Sequence, residues 1–283
     1  VIVTLPSSSN YKFDSAQSTQ YNIAKRALSV RPIVSGKTYD GYAISLNFTA
    51  SGLVGAHTNG SLGTPTYSGN GVGAIDVGSY TVSISLPNND VTKNYDITYA
   101  SASFTITKRA LSIRAVASNK TYDGKTNTFD FEVVSGLASA HTKNSLGTPT
   151  YSGNGVDAVD AGSYSVSVSL PNNDVTKNYN ISYASANFTI SKAKVALVWS
   201  NVLVSDGRVT APSVVTSGQV YSGDISVGSY TYRDSSGRII NSIPAVSGTY
   251  YVEVAVTSGN YSFTNTHINF KVSIGETQEK EVA

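Results

Sequence analysis

The chain has 283 residues with no Cys, and its 20 Lys+Arg against 18 Asp+Glu leave a net charge of only +2. The missing cysteines exclude disulfides, thiolate metal sites and cysteine nucleophiles together, and a near-neutral chain without a basic run argues against nucleic acid as a partner. Only 13% of residues are charged while Ser, Thr, Asn, Gly and 19 Tyr abound, the balance of a hydroxyl-rich extracellular β protein, and no apolar run approaches the length that spans a bilayer.

Taken in order, the chain opens mid-strand at Val1-Ile-Val-Thr4, with no signal peptide or sorting motif to be read. Leu5-Pro6 followed by Tyr21-Asn-Ile-Ala-Lys-Arg-Ala-Leu28 parallels Leu86-Pro87 followed by Phe104-Thr-Ile-Thr-Lys-Arg-Ala-Leu111. Residues 1–24 are therefore expected to be the closing strands of a preceding repeat, with the array extending upstream of Val1.

Self-similarity organises the rest. Tyr39-Asp-Gly41 returns as Tyr122-Asp-Gly124, 83 residues on, and Ser61–Val72 is identical to Ser145–Val156. Residues 25–107 and 108–191 are thus read as two near-copies, with 192–275 a divergent third repeat and 276–283 a disordered charged tail. In the first repeat the expected elements are a strand near Leu28-Ser-Val30, a turn at Lys37–Gly41, a strand over Ala43–Phe48, a short helical turn around Leu53–His57 and an Asn70-Gly71 turn. Asp-Gly and Asn-Gly are hairpin signals because both central residues of a type I′ turn need positive φ.

The strand after Asp76-Val-Gly-Ser-Tyr80 has the clearest pattern. Its period of two puts Tyr80, Val82, Ile84 and Leu86 on one face and Thr81, Ser83 and Ser85 on the other. It returns as Asp160-Ala-Gly-Ser-Tyr164 and, without the Asp, as Ser247-Gly-Thr-Tyr250. The spacing resembles the tyrosine corner of immunoglobulin-like sandwiches, in which a Tyr bonds back to backbone a few residues upstream. About seven strands in each repeat fit such a sandwich. The expected fold is all-β, a tandem of immunoglobulin-like β-sandwich modules end to end as an elongated rod. A β-grasp-like module with Leu53–His57 as its helix is the alternative. The junction Phe104–Ile113 runs from a closing into an opening strand without a flexible spacer, which predicts stiffness. At about 3.3 Å per strand residue, each module adds on the order of 30 Å.

Lys-x-Tyr-Asp-Gly after the first strand, Val-Gly-Ser-Tyr, Asn-Tyr-x-Ile-x-Tyr and a closing Phe-Thr-Ile-x-Lys together resemble the YDG and MBG repeat modules of large bacterial surface adhesins. The likeness covers 25–191 well and 193–275 only through its second half. It implies an extracellular region at the bacterial surface, cell wall-attached or secreted, that spaces or presents a binding domain, and it brings no catalytic residues.

Other chemistry is weak in the sequence. Gly69-Asn-Gly71-Val-Gly73 sits between strands, which favours a hairpin over a phosphate loop. His57 and His141 hold equivalent places, one per repeat, which favours loop histidines satisfied by backbone over zinc ligands. No Gly-x-Ser-x-Gly elbow is present, so the chain is read as non-enzymatic, without cofactor or metal. Asn88-Asn-Asp90 and Asn172-Asn-Asp174 offer oxygens to Ca²⁺, but Lys93 and Lys177 compete for the carboxylate. An isopeptide bond between Lys108 and Asn187 would have no counterpart in the first repeat, where Ser103 replaces Asn187. Trp199, Tyr221, Tyr230 and Tyr232, which the copies lack, are the candidate ligand-binding residues for a glycan or host protein.

The first expectation for function is a monomeric stalk segment of a cell-surface adhesin, with a host or matrix partner reached through flanking domains or the third repeat. A ligand-binding third repeat and the accessory repeat region of a secreted carbohydrate-active enzyme are the rivals.

Overall fold

The pattern of alternating burial dictates the layers. In the computed structural model, which describes residues 21–200, 204–205, 208–209, 213–217 and 224–272, the first repeat forms seven strands: β1 (Arg26–Ile33), β2 (Lys37–Thr38), β3 (Asn47–Ser51), β4 (Thr66–Ser68), β5 (Gly78–Ser85), β6 (Tyr95–Tyr99) and β7 (Ala102–Thr107). They make two sheets, in the orders β3-β1-β6 and β2-β7-β5-β4. Leu28 and Val30 from β1, Phe48 from β3, Tyr95 from β6 and Ile84 from β5 meet in one core, so the two sheets face each other across it. Burying a side chain of this kind contributes about 1.5–3 kcal/mol. On β5, Val82 and Ile84 are buried, Tyr80 and Leu86 are half-buried, and Thr81 and Ser85 face solvent.

The second repeat repeats this with β8 (Arg109–Ala117), β9 (Lys120–Thr121), β10 (Phe129–Ser135), β11 (Thr150–Ser152), β12 (Gly162–Ser169), β13 (Tyr179–Ala184) and β14 (Ala186–Ser191). Its sheets are β10-β8-β13 and β11-β12-β14-β9. The third is built from β15 (Ala193–Trp199), β16 (Val204–Ser205), β17 (Arg208–Val209), β18 (Val214–Ser217), β19 (Ser226–Asp234), β20 (Ile239–Ile240), β21 (Gly248–Thr257), β22 (Tyr261–Thr264) and β23 (His267–Val272). Its main sheets are β18-β15-β22 and β20-β19-β21-β23, with β16 and β17 a separate pair. The fold is thus all-β, in tandem β-sandwich modules. The opening strands β1 and β15 also have a parallel neighbour, β6 beside β1 and β22 beside β15, where immunoglobulin sheets are antiparallel.

The described residues group into two compact units. One comprises residues up to Ala110 with Leu137–Ser145 and Asn172–Asn180; the other comprises Leu111–Gly136, Leu146–Pro171 and Ile181 onward. Two loops of the second repeat therefore belong with the first.

Several local expectations need correction. Residues 53–57 form a turn followed by a 3-10 segment, Asn59–Leu62, and the described residues contain no α-helix. The strand expected over Ala43–Phe48 starts only at Asn47, because Lys37 Nζ ties the preceding turn to Asp40 (2.7 Å) and to the Tyr42 carbonyl (2.7 Å). Neither hairpin signal makes a type I′ turn. In Asp40-Gly41 only the glycine has positive φ, and Gly71 does not. Gly71 instead lies where a Cβ would come within 2.6 Å of Val82 and 2.8 Å of Phe104, and Asn70 Oδ1 accepts the Thr81 N–H (2.8 Å), extending the edge of β5. Residues 1–20 and the tail 276–283 lie outside the described residues.

Candidate functional site

Three of the recurring motifs converge on the ends of the repeats. In the first, Lys37, Thr38, Tyr39, Asp40 and Gly41 form a clamp: Asp40 Oδ1 accepts both Lys37 Nζ and the Tyr42 N–H. The hydrogen bond from Lys37 leads the causes that hold this carboxyl below its usual range. The clamp fixes the backbone so that Tyr39 points inward, with only 2% of its surface exposed. The second copy is built alike, with Lys120 Nζ on Asp123 (2.6 Å) and Tyr122 buried.

The Asp-x-Gly-Ser-Tyr turn supplies the second part. Tyr80 folds its ring over Gly78 and donates its hydroxyl to the Asp76 carbonyl (2.8 Å). Tyr164 to Asp160 (2.9 Å) and Tyr250 to Val246 (2.9 Å) repeat this bond, which is the tyrosine corner expected from the spacing. A Cβ on Gly78 would sit 3.1 Å from the ring, so the glycine makes room for it. The corner holds the Asp76 side chain and the Val77 N–H free for another partner.

That partner comes from a residue about a hundred positions later. Within the first unit, Asn178 Nδ2 donates to Asp76 Oδ1 (2.9 Å) and its Oδ1 accepts the Val77 N–H (2.8 Å). Lys177 Nζ adds an ion pair to Asp76 Oδ2 (3.1 Å). Tyr39 O–H meets His141 Nε2 at 2.7 Å, and the Tyr39 ring stands edge-on to Tyr179 at 5.4 Å. Gly41 closes the seam: a Cβ there would lie 2.5 Å from that of Ala140, and its φ is +80°. Desolvation raises the pKa of Asp76, but hydrogen bonds from Lys177 and Asn178 and the Lys177 charge outweigh it, so the carboxyl titrates below its usual range. Lys177 is shifted upward, first by its hydrogen bond to Asp174 and then by that to Asp76.

Within the second unit the same device recurs. Asn260 Nδ2 donates to Asp160 Oδ1 (2.9 Å), Asn260 Oδ1 accepts the Ala161 N–H (2.6 Å), and Tyr122 stands edge-on to Tyr261 at 5.4 Å. Gly259 replaces the lysine. Asn178 and Asn260 are 0% and 5% exposed. The neutral amide bonds are therefore common to both junctions, and the ion pair is special to the first.

Sequence reasoning missed these asparagines. The available signal was the dipeptide Asn-Tyr, kept as Asn94-Tyr95, Asn178-Tyr179 and Asn260-Tyr261 even where the third repeat has lost other motifs. The histidines also differ from expectation: the partners of His57 and His141 are the hydroxyls of Tyr95 (2.9 Å) and Tyr39, not backbone. At the candidate calcium loop, Lys93 Nζ occupies Asp90 (2.7 Å) and Asn89 Oδ1 accepts the Val91 and Thr92 N–H groups.

Of the aromatic residues proposed for a ligand, Tyr221 lies outside the described residues. Tyr232 is buried in the core with Tyr250 and Phe270. Trp199 and Tyr230 pack edge to face at 6.0 Å, half-exposed, and the Trp199 indole N–H donates to the Asn265 carbonyl (2.7 Å). A separate open groove of about 490 Å³ lies on the outer face of β19 and β21, lined by Arg233, Tyr251, Glu253 and His267. Its rim is a turn pinned by Asp234, whose carboxyl is held down at about 2 by Ser236 and the Arg238 backbone.

No family model matches this chain, and no curated protein matches it. Among solved structures it aligns with three N-terminal domains of the bacteriophage RB49 Highly Immunogenic Outer Capsid protein (Hoc), at 11% identity over 87% of this chain and 95% of that chain. The TM-score is 0.18, at which the likeness has no bearing on fold or function. No helix among the described residues is long and apolar enough to cross a membrane.

Proposed function

We propose that the chain is a non-enzymatic stalk segment of a bacterial cell-surface adhesin, of the YDG and MBG repeat type, that projects a binding region away from the cell. The observation that carries this reading is the repeated lock, in which an asparagine of one repeat bonds to the Asp-x-Gly-Ser-Tyr turn of the repeat before it, Asn178 to Asp76 and Val77 and again Asn260 to Asp160 and Ala161. Fixed junctions let copy number set reach. Small-angle scattering on the whole chain tests it: at about 3.3 Å per strand residue, three modules in line give a maximum dimension of about 100 Å, whereas a compact particle would overturn the stalk.

A second reading rests on the groove of the third repeat, where Arg233, Glu253 and His267 offer charge beside the Tyr251 ring. It would take a polar glycan or peptide from a host surface. Binding on a glycan or peptide array that disappears in Arg233→Ala would favour it, and silence would leave the third repeat as stalk.

A further inference from the structure

The first repeat carries a third copy of the asparagine end of the lock, and among the described residues no turn meets it. Its 3-10 turn Thr92–Asn94 follows Val91 at φ −90°, ψ −54°, the same as Val175 before Thr176–Asn178. Tyr95 leaves the turn at φ −118°, ψ 146°, and Tyr179 at φ −117°, ψ 149°. Asn94 Nδ2 donates to the Asp90 carbonyl (2.8 Å) as Asn178 Nδ2 does to that of Asp174 (2.9 Å). His57 sits beside Tyr95 as His141 sits beside Tyr179.

Only the outward bonds differ. Asn178 is wholly buried, whereas Asn94 is exposed. Lys177 bridges Asp174 and Asp76, whereas among the described residues Lys93 pairs with Asp90 alone. His141 Nε2 meets a tyrosine hydroxyl, whereas His57 bonds only through Nδ1, to its own repeat. The side chains that close a junction are thus already held in position by bonds within the first repeat.

The filled junctions define the occupant. It must bring a carboxylate for Asn94 and Lys93, a backbone N–H next to that carboxylate for Asn94 Oδ1, and a tyrosine hydroxyl for His57. Asp76, Val77 and Tyr39 supply these groups to the second repeat. A second copy of this chain has none to spare, because Asp76 and Asp160 are engaged and the third repeat has Val246, 67% exposed, where the Asp would be. Building on the stalk reading above, we propose that Lys93, Asn94 and His57 form a preformed socket for one further repeat that presents an Asp-x-Gly-Ser-Tyr turn together with a Lys-x-Tyr-Asp-Gly turn. Assembly is then directional: this chain accepts a repeat at the first module, and the third offers no such turn in return.

The test is an extended chain in which residues 1–24 are replaced by a second copy of residues 25–107, so that the added closing strand runs into Arg26 as Thr107 runs into Arg109. Hydrogen exchange is followed at the added copy's equivalent of Val77. The expected result is protection at that amide, with exchange about tenfold faster or more in Asn94→Ala, the loss of one net hydrogen bond or more. In the unextended chain Asn94→Ala leaves exchange at Val77 unchanged. Equal exchange with and without Asn94, while Asn178→Ala still speeds exchange at Val77 itself, would overturn the socket alone. If Asn178→Ala also has no effect, the lock and the stalk reading built on it fall together. Lys93→Gln repeats the measurement with a side chain that has no part in the local turn beyond Asp90.

Discussion

Replacing Asn178 by Ala tests the junction most directly. The side chain makes three bonds, to Asp76 Oδ1, to the Asp174 carbonyl and from the Val77 N–H. The first and last of these cross the junction, and at about 0.5–1.5 kcal/mol net each, with no exposure to let water replace them freely, their loss costs about 1–3 kcal/mol there, while the bond to Asp174 stays within its own loop. Asp76 is itself 48% exposed at its side chain, so its ion pair with Lys177 is screened and adds little to that figure. Global melting is a poor readout in a chain of several modules, whose unfolding need not be two-state. Exchange at the Val77 amide reports the local opening instead. It should speed up by about fivefold to 150-fold, one factor of ten for each 1.36 kcal/mol. Meanwhile the amides of Val82 and Ile84 in the same strand stay protected. A change at Val77 of less than about threefold would show that the junction is held by something other than this amide.

Three further outcomes follow from the same geometry. Asp76 has a lowered folded pKa, so its contribution is present above the unfolded value of 3.8 and is lost as pH falls through the lower folded one; Lys177 is raised, so its share is complete below 10.5 and lost above. Protection at Val77 should therefore hold across the neutral range and decline only in strong acid or strong base, and a midpoint near pH 6 in an exchange series would contradict this. Gly41→Ala must adopt positive φ, costing about 1–2 kcal/mol, and must also displace Ala140, whereas Gly55→Ala at φ +62° meets nothing within 4 Å; equal effects of the two on exchange at the Val77 amide would refute the close approach at Gly41. Tyr80→Phe removes the bond to the Asp76 carbonyl and should destabilise by about 1 kcal/mol in chemical denaturation, and a stabilised variant would show the corner bond to be incidental.

Much of this was legible in one dimension because the physics is local. A period of two on Tyr80–Leu86 says which side chains go inward, since successive residues of a strand face opposite ways. The tyrosine corner spans five residues, Asp76 to Tyr80, and is likewise written in the motif. Turn types were less legible. Asn70-Gly71 looks like a type I′ hairpin, yet the conformation of Gly71 is set by Val82 and Phe104 packing against it, side chains that the dipeptide does not specify.

The sequence by itself determined the repeat, because its motifs return at a fixed spacing, and the buried faces of the long strands, because those depend on residues within a few positions of one another. Only the tertiary structure decided what the repeated motifs are for. Asn94 and Asn178 stand in the same local sequence and the same turn, yet one faces solvent and the other is wholly buried, bonded to a partner 102 positions away. Tyr232, which reads in sequence as an aromatic free to stack on a ligand, is likewise enclosed by Tyr250 and Phe270 from neighbouring strands. Hydrogen bonds and ring contacts of this range depend on where the folded chain brings distant residues, and no local pattern of polarity or propensity distinguishes a side chain that will be met there from one that will not.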